Sequence, residues 1–227
     1  MKHMYCVLLM LLPVLAFSQQ DSTKSADQKQ DKKKPHNSMG IGIKAGLNFT
    51  NVTGTSSISN GSETGYQVGL FLDPSSKSIL GSRTELLYSH QGYNYATGMT
   101  TGKVFLDYIM LAQLMRINIT RFFQIQIGTQ IAYLTNAKVD STSQSLGNAY
   151  ADELLNYYNR IDFGFSGGLE VRPFLGIIVG ARYNFSVTNL YSIPSSTSTV
   201  PPPSFIPSTS GVNLKNNLFQ IYAGYRF

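Results

Sequence analysis

Cysteine is almost missing from this chain. Among 227 residues there is one, Cys6, and there is no tryptophan. Cys6 lies in the apolar run of an N-terminal segment, MKHMYCVLLMLLPVLAFSQQ. Lys2 supplies positive charge and Ala16-Phe17-Ser18 forms an A-x-S pattern, so residues 1–18 read as a secretory signal peptide cut after Ser18. The run is shorter than the roughly 20 apolar residues a spanning helix needs, which argues against an anchor. Cys6 precedes any small-residue cleavage site and reads as filler, not as a lipid-modified cysteine. Once the signal is removed, disulfides and thiolate metal sites are excluded. An exported protein without disulfides needs another source of stability.

Charge is also scarce. Only 13% of the residues are charged, against 14 Tyr, 13 Phe and 20 Gly. No stretch after the signal resembles a hydrophobic spanning helix. Few charges, many aromatics and many glycines suit strands with one face in lipid and one in a narrow lumen. The net charge of +6 is diluted by position. Residues 19–38 hold five Lys and three Asp, and Met39 onward holds 12 basic and 9 acidic residues. No nucleic-acid-sized basic patch exists, and nucleic acid is excluded as a partner.

Residues 19–38 are polar, rich in Lys and Gln, and without apolar periodicity. They are expected to form a disordered tail. From Met39 the pattern changes to period 2. Met39, Ile41, Ile43, Ala45, Leu47 and Phe49 alternate with Gly40, Gly42, Lys44, Gly46 and Asn48. Further strands are expected at 66–72, 79–93, 105–118, 123–133, 161–171, 177–186 and 219–227. Ser82 and Leu87 break the alternation in the third. Eight strands, each near the roughly 9–11 residues a tilted membrane strand requires, point to an all-β, antiparallel, up-and-down transmembrane barrel over residues 39–227. The connections alternate in length. Those at 73–78, 118–122 and 172–176 are short. Those at 51–64, 135–159 and 188–213 are long, and 96–103 is intermediate. This is the outer-membrane pattern, with termini and short turns in the periplasm and long loops outside the cell. Pro201–Pro203 in the last loop favour extended polyproline geometry, and NAYADELLNYYN in the third long loop is expected to form one or two helical turns.

Several segments resemble the PorT-like family of outer-membrane β-barrel proteins. They are GIKAGLNFTN, ELLYSHQG, LDYIMLAQLMRI, DFGFSGGLEV, ARYNFSVTNL and the terminal FQIYAGYRF. The family's Tyr-x-Glu-x-Pro pattern in the fourth strand is replaced here by Met110 and Ala112. The resemblance implies an outer-membrane barrel and suggests a part in secretion or surface assembly. Outer-membrane proteins resemble one another in ending on an aromatic within an alternating strand that the barrel-insertion machinery engages. Phe219, Ile221, Tyr225 and Phe227 carry that signal here, and Arg226 faces the lumen mouth.

The inward faces hold Lys44, Arg83, Arg116 and Arg182 against Glu85, Asp162 and Glu170. An eight-stranded barrel is just wide enough for side chains, so these charges are expected to pair and plug the lumen. A lipid-modifying enzyme needs a nucleophile, a base and an orienting carboxylate within reach. His90 is the one barrel histidine. Ser89 and Glu85 stand at odd spacing from it and face the other way, so His90 reads as a residue of the outer rim. Asp140, Asp152 and Glu153 match no calcium-loop spacing. The chain is therefore expected to use no metal or cofactor and to be a non-enzymatic structural or accessory component. Its expected partners are outer-membrane lipid, the insertion machinery and envelope or secretion proteins. The alternatives are a barrel enzyme acting on lipid and an adhesin using the long loops.

Overall fold

The computed structural model describes residues 39–54, 61–74, 78–97, 100–141, 155, 157–174, 176–191 and 214–227. The signal segment, the tail, the Pro-rich loop, Asp152 and Glu153 lie outside them. Eight strands follow in order: β1 (Met39–Thr53), β2 (Gly61–Pro74), β3 (Leu80–Thr97), β4 (Thr100–Asn118), β5 (Phe123–Ser141), β6 (Ile161–Val171), β7 (Ile177–Ser186) and β8 (Lys215–Arg226). Each pairs antiparallel with its neighbour and β8 pairs with β1, closing a barrel. Closure leaves no edge in the wall, so every ladder N–H and C=O finds a partner away from water.

One row of cross-strand partners runs Ile41, Leu72, Thr84, Gln113, Thr129, Phe165, Phe185, Asn217, and returns to β1 at Asn51. The return is ten residues from the start, so the ring has a shear of ten. That stagger tilts the strands and sets the bore. Both chain ends of the barrel meet at the short-turn end, where the Phe227 amide donates to the Ile41 carbonyl at 2.8 Å.

The outward face is apolar. Ile43, Leu47, Leu70, Leu86, Ile109, Ile127, Leu169, Val179 and Ile221 are each roughly half exposed, a belt suited to a hydrocarbon surround. Phe49, Tyr66, Tyr88, Tyr133, Phe165, Phe185 and Phe219 follow toward the long-loop end, with ring contacts such as Tyr66–Tyr88 at 6.2 Å.

Several strands are longer than the alternation indicates. β2 begins at Gly61, and β5 continues to Ser141, so residues 135–141 are strand and not loop. β3 and β4 extend until Thr97 pairs Thr100, which reduces the 96–103 connection to residues 98–99. These extensions rise beyond the apolar belt, where the outward face turns polar while Tyr95, Val104 and Ala137 are buried inward and Val139 packs against the same cluster, so the lipid-facing signal ends before the strand does. A bulge between Asp107 and Tyr108 places Asn136 opposite Asp107 and Leu134 opposite Tyr108. Of the third-loop segment expected to be helical, Leu155 alone is helical among the described residues.

Glycine lines the bore where a large side chain lies across it. A Cβ on Gly42 would stand 2.1 Å from the Phe71 ring. That ring is buried and stacked 4.6 Å from the Arg83 guanidinium, so it has no room to swing away. Gly42→Val is expected to lower stability by about 1–3 kcal/mol, the usual cost of overpacking. Urea unfolding in detergent micelles checks this, and an unchanged midpoint would contradict it.

Candidate functional site

The bore is filled in three tiers. Nearest the short turns is a charged tier. Glu85 accepts from Lys44 Nζ at 2.9 Å and from both Arg182 Nη atoms at 2.7 and 2.9 Å. Arg83 donates to Asp73 at 2.9 Å and to both oxygens of Glu170, at 2.5 and 2.9 Å. Gln124 and Gln126 donate to Glu170 at 2.6 and 2.9 Å. Gln126 accepts from Arg182 at 2.6 Å, which joins the two carboxylate centres. Lys44 Nζ also sits 3.8 Å above the Tyr222 ring. Lys44, Arg83 and Arg182 thus face Asp73, Glu85 and Glu170 in equal number, all buried. Arg116 and Arg172 add ion pairs to Asp73 at 2.5 and 2.7 Å.

Of the seven expected lumen charges, six lie in this tier: Lys44, Arg83, Glu85, Arg116, Glu170 and Arg182. Asp162 does not. It stands eight residues along β6 from Glu170, toward the long loops, and accepts from Ser186 at 2.5 Å and Thr188 at 3.1 Å. Alternation fixes which face a side chain takes but not its depth. Two members were not expected, Asp73 and Arg172. Each stands beside a proline, Pro74 or Pro173, and so reads as a turn residue.

The middle tier is neutral and polar. Asn48 donates to Ser89 at 2.9 Å, Gln220 to Gln67 at 2.8 Å, Asn216 to Gln91 at 2.7 Å, and Ser166 to Asn184 at 2.6 Å. The gap among Gln91, Tyr108, Gln130, Asp162 and Asn216 has no room for a water molecule.

The third tier, at the long-loop end, is apolar. Tyr93, Tyr95, Leu106, Tyr108 and Leu134 from the wall pack with Leu155, Tyr157, Tyr158, Leu190 and Tyr191 from the connections. The Tyr93 hydroxyl lies 2.7 Å from that of Tyr158 and 2.6 Å from that of Tyr191. Burial raises the Tyr158 and Tyr191 hydroxyls above the usual tyrosine range, so both stay neutral hydrogen-bonding groups. Parts of the two long connections thus cap the bore instead of projecting from it. Leu87, which breaks the alternation of β3, points inward lower in the bore, between Glu85 and Ser89, and is buried.

Outside the wall, one polar row marks the upper limit of the apolar belt. Tyr66, His90, Asp107 and Asn136 are successive cross-strand partners on β2 to β5. His90 Nδ1 is 2.6 Å from Asp107 Oδ1, and Asn136 donates to Asp107 Oδ2 at 3.0 Å. The imidazole is stacked between Tyr66 and Phe105, with centroids 5.1 and 5.4 Å away. Asp107 was not foreseen, because its partnership with His90 depends on the β3–β4 register. Ser89 points into the bore. The terminal aromatics Phe219, Tyr225 and Phe227, with Ile221, are all exposed on the outer wall. Among the described residues no His/Cys/Asp/Glu group could hold a metal ion.

A family model described as an outer membrane protein beta-barrel domain matches residues 17–192. A search of the curated proteins gives no match. Among solved structures, Neisserial surface protein A is similar at TM-score 0.51 and 13% identity, over 82% of this chain and 97% of that one. Ail of Yersinia pestis is similar at TM-score 0.46 and 12% identity, over 83% and 98%. OprG of Pseudomonas aeruginosa is similar at 0.42 and 14%, over 85% and 97%. At these identities the likeness concerns the fold alone.

Truncating Glu85 to Ala would leave Lys44 and Arg182 buried without their carboxylate. Such a loss costs about 3–5 kcal/mol. Glu63→Ala, which removes the exposed 3.0 Å pair with Lys103, is expected to cost less than about 1 kcal/mol. Paired denaturation curves check the difference, and equal effects would contradict the charged tier as described.

Proposed function

Because this chain belongs to the outer membrane protein β-barrel family, we propose that it is a non-enzymatic, sealed barrel of the bacterial outer membrane, serving envelope secretion or surface assembly as a structural or accessory component. The observation that carries this reading is a bore occupied, among the described residues, by three tiers of packed side chains. Ion pairs, amides and tyrosines occupy the path a solute would take, which leaves the wall, the loops and the tail as the surfaces that can act. The resemblance to the PorT-like family points the same way.

In this reading residues 1–18 are removed on export and residues 19–38 form a periplasmic tail. Phe219, Ile221, Tyr225 and Phe227 form the strand that the insertion machinery engages. Their exposure along the outer wall supports that role, since a recognition strand must present its side chains before the ring closes.

A second reading rests on the His90–Asp107 pair. A carboxylate on Nδ1 fixes the imidazole and leaves Nε2 to act as a general base. Its place at the edge of the apolar belt suits an ester at the headgroup level, with water as the nucleophile. Ser89 is not available for that task, because it faces the bore and hydrogen-bonds Asn48.

Gentle detergent purification of the tagged protein from its own outer membrane, followed by mass spectrometry, separates the two. Co-recovery of secretion or surface-assembly proteins is the expected result. Recovery alone, with His90→Ala and Asp107→Asn each altering phospholipid or lipid A composition, would overturn the accessory role in favour of the enzyme.

A further inference from the structure

The outer wall has one feature that a hydrocarbon surround does not explain. On β4 the outward residues are Ile117, Met115, Gln113, Leu111 and Ile109, and Gln113 is the third of five. Its cross-strand neighbours are Thr84 on β3 and Thr129 on β5. Thr84 is likewise the middle of its outward series, Leu80, Ser82, Thr84, Leu86 and Tyr88. Thr129 has Ile127 on one side and Ile131 on the other. A polar row of three therefore crosses the middle of the apolar belt. The corresponding stretches of β1, β2, β6, β7 and β8 are outwardly Ile, Leu, Val, Phe, Tyr, Ala or Gly. Gln113 is the sole amide on that belt among the described residues.

Inside the row one need is met. The Thr84 hydroxyl donates to Gln113 Oε1 at 2.7 Å. The amide's two N–H donors and the second lone pair of Oε1 remain. In lipid no water can take them, and an unpaired polar group there is costly. Polar side chains within a membrane hydrogen-bond across elements and so favour association.

We propose that this face of β3, β4 and β5 is a dimer interface, with a second copy of the same chain as its occupant. The inference rests on the membrane reading above. The choice of a second copy follows from the amide itself. Two barrels inserted with the same orientation can meet about a two-fold axis along the membrane normal, which brings each residue on the axis against itself. A carboxamide is its own complement. Across such an axis one N–H of each Gln113 donates to the other Gln113 Oε1, so one donor and the remaining lone pair of each amide are met at once. Two strands away, in the row of Met115 and Ile127, Gly167 on β6 has nothing within 4 Å of where a Cβ would be, so the wall is low at that border of the face.

The test uses the full-length chain in cells, with Cys6→Ser as background so that no other thiol is present. Gln113→Cys in the native outer membrane is oxidised and run on a non-reducing gel. The expected product is a disulfide-linked species of twice the chain mass. Ile43→Cys, on β1 at another part of the wall, is expected to remain single. A folded but monomeric Gln113→Cys protein would overturn the proposal, as would an adduct of any other mass or equal cross-linking at Ile43. In a second arm, Gln113→Leu keeps the apolar face and removes the amide. Its mass in mild detergent is expected to fall from two chains to one while it still runs faster unboiled than boiled. A Leu variant that stays a dimer would overturn the amide's role. Loss of the gel shift in the unaltered protein would instead count against the barrel in the membrane.

Discussion

Everything in this molecule follows from closing the ring between β1 and β8. A wall of backbone surrounded by hydrocarbon cannot leave an edge unpaired, and closure at a shear of ten fixes both the strand tilt and the bore. The bore then admits side chains and little else. Whatever points inward is buried against other side chains and must complement them. Ion pairs around Glu85 and Glu170, the amide tier around Asn48 and Gln220, and the tyrosine cap at Tyr93 are three chemical solutions to that one constraint.

The tiers have different consequences. The charged tier is costly to disturb, since each member shares its partner with another. Arg83 bridges Asp73 and Glu170, and Gln126 links Arg182 to Glu170, so removing one group strands several. The tyrosine cap draws on the connections after β5 and β7, which ties the loop bases to the wall. The outer wall divides in a similar way. Most of it is a uniform apolar belt, whereas the sector from β3 to β5 carries Gln113 in the middle and the His90–Asp107 pair at the rim.

Much of the fold was legible in the sequence. The bounds of β6 and β7 follow directly from period-2 alternation, and Lys44, Arg83, Glu85, Arg116, Glu170 and Arg182 could be assigned to the inner face by parity alone. The rest was hidden for physical reasons. Above the apolar belt, Asn94, Lys138 and Asp140 turn polar side chains outward while Tyr95 and Val139 face the buried cluster, so the strand continues after its lipid-facing signal ends. Leu87, Met110 and Leu134 are apolar yet point into the bore, and polarity cannot tell such a residue from one facing lipid. Depth was hidden as well. Asp162 and Glu170 share a face of β6 but lie in different tiers, and register is needed to separate them. The pairing of His90 with Asp107 also depends on register, across the β3–β4 hairpin.

The central claim is that the bore is sealed, and electrical recording tests it most directly. The purified full-length protein is inserted into planar lipid bilayers and held at moderate voltage in symmetric salt. A sealed bore predicts current no greater than that of the bare bilayer. Discrete, reproducible conductance steps from the unaltered protein would contradict it.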